Sequence, residues 1–244
     1  MKTSNKWLLA ALLLLLGSLT AYNMGLRAEY AKGTYKDPAQ TTTALNFKNF
    51  SEVDVQAASQ MGVKIVAGPY GVRLNKQAEK YVKVTQQGQR LTVRLAFPEQ
   101  QESLGGRQGV VIISCPQLRQ LTAGAAYQVK GKVLTDKAPG YDRALRVEGF
   151  RQDSLWVRQD LGSQVEMANN QLGYLRAETG RSPGSRSVLH IANTNRIQAA
   201  DLNVQRLAEL KLEAGGIKQL RTHFGDSAQA TLTGAGLSNL GQHQ

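Results

Sequence analysis

Six triplets decide the fold of this chain: Val129-Lys130-Gly131, Val147-Glu148-Gly149, Met167-Ala168-Asn169, Ile191-Ala192-Asn193, Leu212-Glu213-Ala214 and Leu232-Thr233-Gly234. Each places a large apolar residue two positions before Gly, Asn or Ala, and successive triplets lie 18, 20, 24, 21 and 20 residues apart. Gly and Asn tolerate the positive φ angles of tight corners. Near-constant spacing of this kind predicts an all-β fold of β-solenoid type, like a right-handed β-helix, whose apolar residues stack between coils. Antiparallel sandwich strands also recur at short intervals and stay the alternative.

The first half of the chain also has the period of two that β-strands show. Residues 91–95 alternate strictly between apolar and polar side chains, and a turn containing Gly88 precedes them. This pattern predicts a hairpin over residues 81–95. The longest interval of the repeat contains the polar loop 179–186, rich in Gly, Ser and Arg, which we expect to project from one coil.

The N-terminal segment is predicted to direct the chain into or across a membrane. Residues 7–26 are uncharged, Lys2 and Lys6 precede them, and Arg27 follows them. Twenty residues in a helix span about the hydrocarbon thickness of a bilayer. We therefore expect a single transmembrane helix, a signal-anchor, within residues 1–27. A linker at 28–44 and one all-β domain at 45–244 would then follow. A signal peptide cleaved near Ala21 is the alternative, and in both cases most of the chain leaves the cytoplasm.

The charge of the chain is strongly positive. There are 30 basic and 18 acidic residues among 244, a net charge of +12. Residues 1–40 hold 5 of the basic and 2 of the acidic residues, which leaves +9 for the rest. Most of these cations stand singly on alternating strand positions, and only 6% of the residues are aromatic. Nucleic-acid binding needs clustered cations interleaved with aromatic rings, so no nucleic-acid partner is expected.

The sequence offers little for catalysis. It contains no HExxH, G-x-S-x-G or Walker-type motif. The histidines are His190, His223 and His243, and none has metal-ligand spacing; Cys115 adjoins an apolar run and should be buried. We therefore predict a non-enzymatic protein without cofactor or metal.

Two carboxylate pairs nevertheless leave open the possibility that the chain is a carbohydrate-active β-helix enzyme. They are Asp153 with Asp160, and Glu209 with Glu213. In strand geometry Lys211 would stand between Glu209 and Glu213 on one face, which is typical of a solvated row of charges.

Three segments of the β region resemble the autotransporter adhesin head domain called GIN, a family of envelope proteins of Bacteroidetes-type bacteria. The segments are Phe50-x-x-Val53-x-Val55 with Val63-x-Ile65-x-x-Gly68 and Val82-x-Val84-x-x-x-Gly88-x-x-Leu91-x-Val93; Cys115-Pro116-x-Leu118-x-x-Leu121-x-x-Gly124-Ala125; and Leu210-x-Leu212-x-Ala214-Gly215 through Leu232-x-Gly234. The resemblance covers about residues 45–240. It implies a β-solenoid-like fold and an adhesin-like or scaffold role in the cell envelope.

Surface polysaccharides or other envelope proteins are the expected partners, besides the membrane that residues 7–26 would cross. The alternative function is a binding module for anionic glycans. Arg181 and Arg186 of the projecting loop, with neighbouring strand cations, would be its contacts, because cations attract acidic sugars weakly and in a salt-dependent way.

Overall fold

The computed structural model describes residues 3–32, 41–99, 104, 110–140, 142–213 and 215–234. The chain forms two compact units, residues 1–42 and 43–244. The first unit contains helix α1 (Thr3–Lys32), whose leucines are exposed all round. By length and composition α1 could cross a membrane, and a signal sequence would have the same properties. It contains the predicted span 7–26 and continues six residues past it.

In the described residues of the second unit, the regular elements are β-strands and a 3-10 turn (Lys76–Ala78). The strands are β1 (Thr42–Leu45), β2 (Glu52–Val55), β3 (Val63–Ala67), β4 (Gly71–Asn75), β5 (Val82–Gln87), β6 (Arg90–Phe97), β7 (Val111–Cys115), β8 (Gln120–Ala123), β9 (Ala126–Val129), β10 (Lys132–Thr135), β11 (Leu145–Glu148), β12 (Arg151–Gln159), β13 (Gln164–Ala168), β14 (Gln171–Thr179), β15 (Val188–Ile191), β16 (Arg196–Val204), β17 (Glu209–Glu213), β18 (Ile217–Phe224) and β19 (Gln229–Thr233). The prediction of an all-β domain after an apolar N-terminal helix is therefore confirmed.

Both ends of the predicted linker 28–44 lie in regular secondary structure. Helix α1 covers its first residues, up to Lys32, and β1 begins at Thr42. Residues 33–40 lie outside the described part of the chain. The predicted hairpin over 81–95 is present, because β5 pairs antiparallel with β6 and Val84 lies opposite Val93.

The strands form two sheets. Sheet 1 has the order β1-β4-β7-β3-β11-β13-β15-β17-β19, and sheet 2 has the order β10-β9-β6-β2-β8-β12-β14-β16-β18, with β5 added to β6. From β11 onward each strand crosses to the other sheet, and every described pair there is parallel. The antiparallel alternative is thus wrong for this part of the domain.

The register of sheet 1 follows the sequence repeat. Val147 pairs with Met167, Met167 with Ile191, Ile191 with Leu212, and Leu212 with Leu232. The first four side chains are buried and Leu232 packs against the core at its margin. These five positions therefore stack as the spacing predicted, and their burial supplies the hydrophobic free energy that holds successive strands together.

The first triplet of the repeat was assigned wrongly. Val129 pairs with Phe97 and Lys132 in sheet 2, whereas Ile65 occupies the place beside Val147. The reason is a local hairpin, in which Lys130 and Gly131 take φ angles of 51° and 77° and turn β9 back along β10. A two-residue turn with positive φ at both positions favours such hairpins.

Candidate functional site

The loop 180–187, between β14 and β15, holds the two arginines singled out in the sequence. Asp160 fixes this loop: its Oδ1 accepts a 3.0 Å hydrogen bond from the Ser182 backbone N–H, and its Oδ2 accepts one of 2.6 Å from the Ser182 hydroxyl. The Leu161 N–H donates to the same carboxylate at 2.8 Å. Desolvation raises the pKa of Asp160, but these hydrogen bonds outweigh it and hold that pKa below its ordinary 3.8. The carboxylate is therefore ionised at neutral pH and anchors the loop.

Two further cations lie beside this loop. The Arg206 Nε donates to the carbonyl of Arg181 at 2.9 Å, and the Arg186 N–H donates to the carbonyl of Lys137 at 2.9 Å. All four side chains are exposed, and none forms an ion pair within the described chain. We call Lys137, Arg181, Arg186 and Arg206 the cationic corner.

Two of the four residues of the cationic corner, Arg206 and Lys137, were not predicted from the sequence. Arg206 follows β16 as Arg181 follows β14, and the Gln205 N–H bonds to the carbonyl of Thr179, so the repeat itself could have identified it. Lys137 could not be found in this way. It comes from a distant connection that packs on the loop, where its side chain lies over Gly184.

Several strand cations are ion-paired with a carboxylate on a neighbouring strand. In sheet 1, Lys64 contacts Glu148 at 2.8 Å and Arg146 contacts Glu166 at 3.0 Å. In sheet 2, Arg90 contacts Glu52 at 3.1 Å. Each of these pairs joins two neighbouring strands. These cations therefore belong to charge rows that support strand pairing, and they are poor candidates for ligand contacts.

Trp156 lies in a similar row on the outer face of sheet 2. The guanidinium carbons of Arg158 and Arg176 are 5.0 and 5.1 Å from its ring centroid. Glu178 contacts both arginines, at 3.8 and 2.9 Å. The arrangement combines cation–π attraction with charge pairing and occupies both guanidinium groups.

The carboxylate pairs lack the geometry of a glycosidase site. Asp153 lies on β12 and Asp160 directly follows the end of that strand, seven residues later, which is about 23 Å at the usual rise per residue. Glycoside hydrolysis needs carboxylates about 5–10 Å apart. On β17, Glu209 bonds to Thr231 at 2.8 Å and contacts Lys211 at 3.5 Å. The first pair is too widely separated, and the second forms the predicted row of charges.

The environment of Glu213, the other member of the second pair, does not suit a general acid. It accepts 3.1 and 2.9 Å hydrogen bonds from the Asn193 N–H and His190 Nε2. These two bonds, that of Asn193 first, lower its pKa. A general acid needs a raised pKa, so this environment is the opposite of the one required.

The remaining reactive side chains form no centre in the described residues. His223 lies 3.8 Å from Asp201 on the neighbouring strand. Within that part of the chain, no three His, Cys, Asp or Glu residues come together as metal ligands. Cys115 is fully buried, as predicted, and burial raises the pKa of its thiol to about 12.

Comparisons with known proteins give similarity at the level of structure alone. No family model and no curated protein sequence matches this chain. A solved protein of Bacteroides fragilis, proposed to be an adhesin, covers 79% of this chain and 96% of its own at 11% identity and a TM-score of 0.43. One from Parabacteroides merdae, also proposed to be an adhesin, covers 80% and 96% at 8% identity and a TM-score of 0.26. One from Parabacteroides distasonis, proposed to bind lipid, covers 79% and 94% at 9% identity and a TM-score of 0.33. Similarity this low carries no functional inference.

Proposed function

We propose that this chain is a non-catalytic protein of the bacterial cell envelope, tethered to a membrane by α1, with its β domain outside the cytoplasm as an adhesion or scaffold module. The observation that carries the proposal is α1 itself. Its leucines are exposed on every side, and it precedes a domain of stacked strands. A helix that is apolar all round is stable in hydrocarbon and costly in water.

We further propose that β11–β19 wind as a right-handed solenoid of the GIN type. The support is the strict alternation between two sheets, with each strand parallel to the strand two ahead of it. Parallel strands joined by a crossover are right-handed in nearly all proteins. Such stacking gives a stiff surface suited to adhesion, whose partners would be surface polysaccharides or envelope proteins.

Membrane fractionation combined with intact-mass measurement tests the tether. We expect the native protein in the membrane fraction at the mass of the whole chain, and protease added to intact cells or spheroplasts should digest the β domain. Leu13→Lys with Leu14→Lys should move the protein out of the membrane, whereas Lys32→Gln should not. A full-mass protein in the cytoplasmic fraction would contradict the proposal. A shortened, released protein would show that the segment is a cleaved signal.

A second candidate function, anionic-glycan binding, is favoured by the cationic corner. Its four exposed cations lack ion-pair partners in the described chain, and Asp160 fixes the loop that carries Arg181 and Arg186. We expect polyuronate to bind at low ionic strength and to dissociate as salt is added, because the attraction is screened.

The double variant Arg181→Ala with Arg186→Ala tests this candidate. If the cationic corner is the glycan site, this variant loses polyuronate binding. Lys64→Ala with Arg146→Ala removes the same net charge from ion-paired positions and serves as the matched control. Equal losses in both variants would show that only the overall charge matters and would reject the cationic corner as a site.

A further inference from the structure

A cavity of about 280 Å³ opens on the outer face of sheet 2, where β5, β6, β9 and β10 meet. Its wall contains two cations, Lys83 on β5 and Arg94 on β6, together with Tyr127, Gln128 and Val133 from the β9–β10 hairpin. The cavity shares no lining residue with the cationic corner, whose cations lie in the connections after β10, β14 and β16.

The positions of the two cations lower the stability of sheet 2. Lys83 and Arg94 lie directly opposite each other in the antiparallel pair of β5 and β6. Like charges at such positions repel and destabilise the sheet. Both side chains are exposed, and in the described chain neither forms an ion pair, unlike Arg90 four residues earlier on β6.

One carboxylate lies near this pair without neutralising it. Asp54 on β2 bonds to Gln56, and Arg90 and Arg94 act on it through longer-range attraction. Its pKa is raised because desolvation outweighs these favourable contacts. Asp54 is thus a half-buried group of sheet 2, whereas Lys83 and Arg94 both line the cavity.

The opposite wall is apolar and aromatic. Val133 is 65% exposed, and it lies across from Gln128 in the β9–β10 pair, which in turn lies beside Ala96 of β6. Tyr127 adds a ring that packs edge-on against Phe97. A ligand that covered Val133 and Ala96 while reaching both cations would bury apolar surface and neutralise the repulsion together.

We propose that this cavity binds a hexuronate residue of an acidic polysaccharide, with its carboxylate on Lys83 and Arg94 and its apolar ring face against Val133 and Ala96. Arginine matches the two oxygens of a carboxylate, and lysine adds a point charge. The volume lies near the lower end of small-molecule sites and is of the order of one sugar unit. The proposal rests on the envelope role only for the source of the ligand.

Isothermal titration of the full chain in detergent with oligogalacturonate tests the site. Neutral oligogalactose is the ligand control. The test variant is Lys83→Gln with Arg94→Gln, and Lys64→Gln with Arg146→Gln is the variant control with the same charge change. We expect the test variant to lose at least about tenfold in affinity, that is about 1.4 kcal/mol. The control variant should lose much less.

Three results would overturn the proposal: no binding of the uronate oligomer at low salt, equal binding of the neutral oligomer, or equal losses in test and control variants. Loss only in Arg181→Ala with Arg186→Ala would place the glycan at the cationic corner and would equally overturn the cavity. A circular-dichroism melt of each variant shows whether it is folded. Single Arg94→Lys, which keeps the charge but loses the paired donors, should have an affinity between wild type and the test variant. Membrane fractionation is independent of these titrations, so failure of the cavity and failure of the tether are distinguishable.

Discussion

The side-chain amide of Asn170 donates a 3.0 Å hydrogen bond to Oδ1 of Asn195, and both side chains are buried. Each belongs to the corner that leads from sheet 1 into sheet 2, one repeat apart. The amide of Asn195 also donates to the carbonyls of Met167 and Ala192, at 2.7 and 2.8 Å. These bonds satisfy backbone groups that the sharp turn removes from the strand ladders, and such groups are costly to bury unpaired.

Asn195→Ala should therefore destabilise the domain strongly. It leaves the Met167 carbonyl and the Asn170 amide without this partner, and each such loss typically costs about 1–3 kcal/mol. Urea denaturation measures the change in the free energy of unfolding. The control is Asn193→Ala, since Asn193 is exposed and uses its backbone N–H to bind Glu213. Equal stabilities of the two variants would contradict the role assigned to the buried pair.

Gly180→Ala should prevent tight packing at the corner after β14. Gly180 has a φ of +81°, and an added Cβ would lie 2.2 Å from the Gln205 carbonyl oxygen and 2.6 Å from the Ala208 Cβ. Gly88→Ala is the matched control, because Gly88 has a φ of +58° and open space around it. The control should cost about 1–2 kcal/mol for the left-handed backbone.

Gly180→Ala should cost a further 1–3 kcal/mol or so for overpacking. Thermal and urea denaturation of both variants measure the difference. If the two substitutions cost the same, the close approach of the corner to the next repeat would be refuted.

The part of the fold that could be predicted is the part in which neighbours in space are neighbours in sequence. From Val147 to Leu232 each strand pairs with the strand one repeat away, so spacing alone reveals the register. In the first half the order of sheet 1 is β1-β4-β7-β3, which spacing cannot reveal. Val129 was misassigned there because a local hairpin imitates the apolar-x-small pattern.

The candidate sites follow the same division. Arg181 and Arg186 could be selected because their loop lengthens one interval of the repeat. The Lys83–Arg94 pair could not be selected in this way. The pairing of β5 with β6 could be predicted, but the cavity is also lined by β9 and β10, whose positions could not. Sequence alternation identifies which residues face outward, and long-range packing decides which of them stay unpaired.

Asp160 should make the stability of the domain depend on pH in the acidic range. Its pKa is lower in the folded chain than in the unfolded one, so its contribution is complete above the unfolded value of 3.8 and is lost as the pH falls through the folded value. Asp160→Asn should therefore destabilise the protein at pH near 7, and its difference from wild type should shrink below about pH 4.

Urea titrations across the pH range measure this difference. Asp153→Asn removes the same charge from an exposed position of β12 and should show no comparable trend. A constant difference between Asp160→Asn and wild type at all pH values would contradict the linkage.

Cys115 should be inert in the native protein. Its side chain is fully buried at the end of β7, and burial raises the pKa of the thiol to about 12, so thiolate is scarce at about pH 8. We expect no labelling by a thiol reagent until denaturant is added. Ser154→Cys in a Cys115→Ala background places the thiol at an exposed position and should react at once. Rapid native labelling of Cys115 would show that the core around β7 opens readily.

Lys83→Glu should make the protein more stable and deprive it of its proposed ligand. The substitution turns the repulsive Lys83–Arg94 pair into an attractive one, and cross-strand pairs of opposite charge contribute about 0.2–1 kcal/mol. The gain should diminish in high salt, because exposed charges are screened. Lys83→Gln, which removes the repulsion without adding attraction, should lie between the variant and wild type in urea denaturation. A substitution that raises the free energy of unfolding while it removes ligand binding is expected at a binding site. A loss of stability in Lys83→Glu would show that the two cations do not form a repelling pair.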